Sequence, residues 1–365
     1  MIDVANKGCK EPVTGVVTSA GKVLGLYPLL STGLSFAAVQ RARHELVATL
    51  VGDELAAVEF PIDSDEWRRW MNIHRFLMRH GLLLDDLQQN QRDRTLALVE
   101  SVLSASGNQE IRGVMQINET IQELTGRLDN EGFPEFGEWM YWISLFGEVS
   151  SSEPWGWQLD GHHLNINCLM LGDQIVVTPF FLGSEPLVAE SGKYEGVKIL
   201  RAEEDVALAL VGSLNAEQRK KCVTSPSMPN GLFTGAFSDN AIVDYEGIVF
   251  GDLSSAQQAL CLELIEVYVG RLSDEIATVK MDEVRRHLGE TYFSWMGATT
   301  AADVFYYRVH SPVILLEFDH EPGIVFKGLE PMKSHVHTMM RTPNGNDYGT
   351  DYIRQHRLNH PHHAG

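Results

Sequence analysis

Residues 160–183, DGHHLNINCLMLGDQIVVTPFFLG, set two β-rich apolar runs on either side of Gly172-Asp173. Two such runs around a Gly-Asp pair signal a tight hairpin. A hairpin commits its strands to antiparallel pairing. The last third of the chain repeats the signal in three further strand segments, 304–309, 313–319 and 335–341. The first ~130 residues read differently. Apolar residues recur at helical spacing over 36–50, 65–79, 86–105 and 109–128, with Gly107-Asn108 as the break between the last two. The aromatic, Gly/Pro-punctuated run 131–148 marks the shift to strands. Helices are expected again at 203–211, 216–222, 255–272 and 282–288, around a Pro/Gly-rich loop over 225–235.

These elements predict an α+β fold. A helical N-terminal layer packs on a mainly antiparallel β core, curved or barrel-like, with the site at its open end. Three leucine-led stretches, Leu84-Asp85 to Gln88, Leu214-Asn215 to Gln218 and Leu253-Ser254 to Gln257, have capping-box spacing. They read as helix starts, with no tandem repeat. No linker forces a boundary. The chain is expected as an N-terminal extension (1–35), one continuous domain (36–356) and a His-rich tail (357–365).

Charge narrows the partners. Lys plus Arg number 29 against 49 Asp plus Glu, a formal charge of −20. That excludes a nucleic-acid binder, which needs a basic footprint, and docking on anionic membranes. The four cysteines show no paired spacing, and Cys168 and Cys261 sit in apolar runs as buried thiols. The N-terminus lacks the pattern of a signal peptide, and no apolar stretch is long enough to span a membrane. A reducing, cytoplasmic setting is expected. A homodimer suits a chain of this size.

Three segments collect ligand-type residues: the first runs from Trp155-Gly156-Trp157 to His162-His163 and Asn167, the second is Leu315–Asp319, and the third runs from His335-Val336-His337 through Arg341 to Asp347. Residues two apart on a strand share a face. His335 and His337 therefore point the same way, Glu317 and Asp319 share a face, and His163 shares one with Asn165 and Asn167. On that parity His162 faces the other way, and it stands as the alternative to His163. An H-x-H strand plus one more His and a carboxylate can hold a divalent transition metal. The H-x-H pair alone is weak, because alternating histidines are more often a polar strand face, whereas Glu317 inside VILLEFD is more informative: buried, it needs a metal, an Arg or a His as partner, an ion pair with Arg308 or Arg341 being the structural alternative. The sequence carries no G-x-S-x-G, P-loop, H-E-x-x-H or dinucleotide fingerprint.

The stretches PWGWQLDGHHLNIN, TPFFLGSEP, YYRVHSPVILLEFD and SHVHTMMRTPNGNDYGTDYIRQH resemble the landmarks of the domain-of-unknown-function family numbered 3500. The helical DEWRRWMN and GLLLDDLQQNQR stretches fit it as well. The likeness runs from about residue 35 to His356 and implies one continuous unit. It carries no activity with it.

The residues themselves lead to a metal-dependent enzyme acting on a small polar or anionic molecule. His163, His335 and His337 bind the ion, and Glu317 is the fourth ligand or orients one of them. Zinc and hydrolysis by a metal-activated water are the nominal choice, with iron, manganese or copper and a redox or lyase reaction as the alternative. Asp319 or Asp347 serves as general base, and Arg341 anchors substrate charge. A metal-free pocket for an anionic ligand is the competing reading, and a purely structural polar strand face is a third.

Overall fold

The computed structural model describes residues 9, 11–73, 79–326 and 328–360. The fold is α+β. Thirteen strands form one sheet: β1 (Glu59–Phe60), β2 (Leu82–Leu83), β3 (Tyr141–Phe146), β4 (Trp155–Gly161), β5 (Leu164–Leu171), β6 (Gln174–Val176), β7 (Phe180–Ser184), β8 (Val223–Ser225), β9 (Ile248–Val249), β10 (Tyr292–Gly297), β11 (Phe305–His310), β12 (Leu315–Pro322) and β13 (Pro331–Arg341). The main path is β1-β3-β4-β5-β7-β13-β12-β11-β10-β8, with β2, β6 and β9 attached beside it. Only the flanking pairs β1–β3 and β8–β10 are parallel. The path does not close, so of the expected curved or barrel-like forms the curved, open sheet is the one present.

Nine α-helices are present among the described residues: α1 (Ala37–Val47), α2 (Asp53–Val58), α3 (Gln89–Glu100), α4 (Ala105–Thr125), α5 (Ala202–Ser213), α6 (Ala216–Cys222), α7 (Ser255–Val269), α8 (Asp274–Arg286) and α9 (Thr350–Asn359). The hairpin around Gly172-Asp173 is β5–β6. The helix expected over 65–79 is a single 3₁₀ turn, Asp65–Arg68, after which the chain runs irregularly and 74–78 lie outside the described residues. Gly107 does not break a helix. It lies inside α4, where a Cβ would strike the Arg271 carbonyl, and the break falls before Ser104, whose hydroxyl caps α4. The segment 11–35, set apart as an extension, pairs Val17 with Ile242 and ties Thr32 to Asp173. The tail begins within α9, and its His362 and His363 lie outside the described residues.

The sheet is built from two copies of one unit. Residues 81–91, GLLLDDLQQNQ, match 247–257, GIVFGDLSSAQ, each giving a short strand, a 3₁₀ turn and a helix with a Gln in its first turn. Gly81 and Gly247 both take left-handed φ, and a Cβ on either would strike the carbonyl of Ile143 or Phe293. Those two residues occupy the same place on β3 and β10. From there the registers coincide: Ser144 pairs with Gln158 and Gln158 with Asn167, as Ser294 pairs with Arg308 and Arg308 with Glu317. Strands β3-β4-β5-β7 thus repeat as β10-β11-β12-β13. The copies meet at β7–β13, where Phe180 pairs with its counterpart Met340. On the helical side the Leu103–Leu272 bridge joins equivalent positions. Of the three expected capping patterns, only Ser254/Gln257 belongs to this duplication, and its counterpart is Gln88/Gln91 rather than Asp85/Gln88. The boxes at Asn215/Gln218 and Ser254/Gln257 form, whereas in α3 the cap is Gln88, paired with Gln91.

The two sheet faces differ in chemistry. Ile143, Leu159, Ile166, Leu182, Val336, Met340, Leu316 and Val309 face the helices of both copies and form the main core. The helical layer is therefore not confined to the N-terminal part. Fully burying one such side chain contributes about 1.5–3 kcal/mol. The opposite face carries Gln158, Asp160, Asn165, Asn167, His337, Asp319, Glu317 and Arg308, all buried. It is covered by Trp67, Trp70 and Tyr348, which cluster with Phe181 of β7, by the 225–245 loop and by the chain after β13. A buried polar face needs partners for every group, and those partners decide where a site forms.

Candidate metal centre

His335 and His337 sit on β13 next to the central strand junction, and parity alone sends both rings to the polar face. His163 arrives from the turn between β4 and β5. It takes φ +60, a left-handed conformation that is uncommon for a residue with a side chain. His335 Nε2 lies 3.2 Å from His163 Nε2 and 3.1 Å from His337 Nε2. Three imidazole nitrogens at about 2.0–2.1 Å from one tetrahedral ion stand roughly 3.3 Å apart. Gly183 of β7 makes the approach feasible: a Cβ there would stand 2.7 Å from the His337 ring and 2.9 Å from the His163 ring.

The far side of each strand histidine is already engaged. His335 Nδ1 is 2.7 Å from the Pro322 carbonyl, which accepts only, so this nitrogen carries the hydrogen. Glu185 Oε2 stands behind it at 3.6 Å. His337 Nδ1 is 3.4 Å from Glu321 Oε1 and 3.9 Å from Asp319 Oδ1. In neutral rings these partners leave the Nε2 lone pairs of His335 and His337 facing each other, an arrangement that a cation between them resolves. Burial, with His337 nearby, pushes the His335 imidazole down to about 4, which keeps it neutral and able to ligate.

Of the adjacent pair, His163 rather than His162 stands beside His335 and His337. The two rings stack at 3.9 Å, but His162 Nδ1 meets Asn118 Oδ1 at 2.8 Å and its ring packs on Phe136. Both residues occupy the β4–β5 turn rather than a strand, so strict alternation does not apply to them.

The other expected site residues are placed elsewhere. Glu317 does not join the histidines. Its carboxylate accepts from Phe233 N (2.8 Å), Thr234 N (3.0 Å), the Thr234 hydroxyl and Tyr306 Oη (2.8 Å), fastening the 225–245 loop to the sheet. Arg341, fully buried, donates to Asp239 (2.9 Å), Asp347 (3.0 Å) and the carbonyls of Thr234 and Gly235, which leaves no fork for a substrate. Asp347 is taken up by Arg341 and by Thr342 N at 2.8 Å, so it serves neither as base nor ligand. Asp319 lies beside the centre, but on the Nδ1 side of His337, away from the Nε2 atoms where a base would act.

Two neighbours of the centre escaped sequence reasoning. Glu321 continues the parity of Glu317 and Asp319 by one step and was legible in LEFDHE. Glu185 receives the amides of Ile324, Val325 and Phe326 at 2.9–3.1 Å, and nothing local in TPFFLGSEP marked it.

Residues 32–350 match the family model described as a protein of unknown function, DUF3500. The chain belongs to the DUF3500 family. No curated protein and no solved structure matches it. The span shared with DUF3500 takes in the three histidines, both copies of the repeated unit and the carboxylates Glu185, Asp319 and Glu321. No helix among the described residues is long and apolar enough to cross a membrane.

Proposed function

We propose that this chain is a metal-dependent enzyme acting on a small polar molecule, with a divalent transition metal held by the Nε2 atoms of His163, His335 and His337. The observation that carries this is the convergence of the three nitrogens while the Nδ1 atoms of His335 and His337 are engaged behind them. Three protein nitrogens leave at least one coordination position open, the pattern of catalytic rather than structural sites. A bound ion would supply Lewis acidity and lower the pKa of a coordinated water. Zinc-supported hydrolysis is the nominal reaction. The same ligands accept iron, manganese or copper, and the ion found separates hydrolytic from redox chemistry.

The chain's own residues limit the substrate. His163 and His335 are buried and His337 is 8 % exposed, so access is narrow and the substrate small. Glu185, Asp319 and Glu321 surround the trio, and Arg341 is spent on Asp239 and Asp347. That charge balance favours a neutral or cationic molecule over the anion expected from the sequence.

The test is elemental analysis of the full chain purified without chelator, beside His335→Ala. Retained transition metal that falls by one equivalent in the variant supports the reading. Metal-free protein, or content unchanged in His335→Ala, overturns it. The comparison cancels any ion held by the His-rich tail.

A further inference from the structure

The Nδ1 side of His337 has its own chemistry. Asp319 lies opposite His337 in the β12–β13 ladder, and Glu321 follows within the register shift between His320 and Pro322, its carboxylate 3.4 Å from His337 Nδ1. One ligand atom from each of Asp319, Glu321 and His337 lies within 4.8 Å of the others. Asp319 is 1 % exposed, and neither carboxylate oxygen has a hydrogen-bond partner. A buried carboxylate with two bare oxygens is costly unless a proton or a cation compensates it. Among the described residues no Lys or Arg pairs with Asp319 or Glu321. Gly231 of the covering loop leaves room, since a Cβ there would stand 3.0 Å from Glu321 Oε1.

We propose that Asp319, Glu321 and His337 Nδ1 hold a second divalent cation, with His337 bridging it to the ion of the three-histidine site. This rests on the metal-centre reading above and extends it from one ion to two. Carboxylate oxygens and an imidazole nitrogen suit zinc, manganese or iron. Binding displaces the Nδ1 proton of His337 to solvent, together with any carboxyl proton on Asp319. The bridging ring then carries one negative charge and shares it between the ions. The Asp319 and Glu321 carboxylates offset the second cation.

The arrangement accounts for a carboxylate pair that the sheet would otherwise bury at a loss. In the one-ion alternative, Glu321 merely orients His337 and Asp319 stays protonated. The two cases differ in stoichiometry and in proton release.

The experiment loads the full chain with Co²⁺ or Zn²⁺ and measures bound metal after desalting, for wild type, Asp319→Asn, Glu321→Gln and His335→Ala. Proton release is followed on loading in weakly buffered solution. The expected result is one equivalent fewer in both carboxylate variants than in wild type. The ion that depends on His335 remains, and proton release falls. Glu321 is partly exposed, so its variant keeps the test open where Asp319→Asn fails to fold. Equal metal content in wild type and both carboxylate variants, with loss in His335→Ala, overturns the second ion and leaves the three-histidine site standing. Absence of metal from every protein overturns both.

Discussion

Gly183 lies directly opposite His337 in the β7–β13 ladder, and its missing side chain is the space in which the His337 and His163 rings meet. Its φ is not left-handed, so an alanine can adopt the backbone conformation, with its Cβ 3.0 Å from the Val336 carbonyl oxygen. It would push the rings apart. Gly183→Ala is expected to weaken metal binding about 10–100-fold, the range seen when supporting groups around a metal site are altered. Competition against a chromophoric chelator measures this. Unchanged affinity in a folded variant would show that the rings do not need that space.

His162 and His163 are adjacent and stacked, yet they have different tasks. His163→Ala is expected to lose the ion, as is His337→Ala. His162→Ala should retain it while losing the contacts with Asn118 and Phe136 and the stacking on His163. Thermal melts with and without added metal separate them. An ion present at 100 times its Kd stabilises the folded state by about 2.7 kcal/mol, a gain His163→Ala forfeits. Equal metal-induced shifts in both variants would refute the assignment.

Glu317 holds a loop rather than an ion. In Glu317→Ala the amides of Phe233 and Thr234 and the Tyr306 hydroxyl lose a buried acceptor. Each stranded group costs about 1–3 kcal/mol. The variant should unfold at markedly lower urea while keeping the three-histidine ion at temperatures where it is folded. Selective loss of metal without loss of stability would return Glu317 to the ligand set.

His310 supplies an acid-sensitive element remote from the histidine trio. Burial, with Arg308 acting in the same direction, pushes its imidazole down to about 3. The folded value lies below the unfolded value near 6.5, so the unfolded chain binds more protons between them. The stability His310 supports is fully present above about pH 6.5 and is lost as pH falls towards 3. The slope from this one group is at most about 1.4 kcal/mol per pH unit. His310→Gln should flatten the pH dependence of the urea midpoint between pH 6.5 and 4, measured in chelator. Identical slopes in variant and wild type would remove His310 as the cause.

Much of this was written locally. The two-residue turn at Gly172-Asp173, the helical spacing near 36–50, 86–105 and 109–128 and the alternation of His335 and His337 are short-range properties, and the structure keeps them, whereas the spacing over 65–79 yields only a 3₁₀ turn. The duplication was not legible. It constrains scattered positions such as Gly81/Gly247, Leu87/Leu253 and Gln91/Gln257, while the residues between them have diverged. A search for a tandem period finds nothing when only caps, turns and register are held in common.

The sequence by itself determined the class of fold and the face on which the strand candidates His335, His337, Glu317 and Asp319 lie. Hydrogen-bonding geometry fixes side-chain direction every second residue along a strand. Only the tertiary structure decided which polar residues on that face meet. Glu317, Arg341 and Asp347 carry the chemistry of a site, yet partners from 233 to 239 and the turn after β13 satisfy them. Asp319 has no such partner among the described residues, and it lies with Glu321 beside His337. A carboxylate's role is set by what compensates its charge, and that compensation comes from segments distant in the chain.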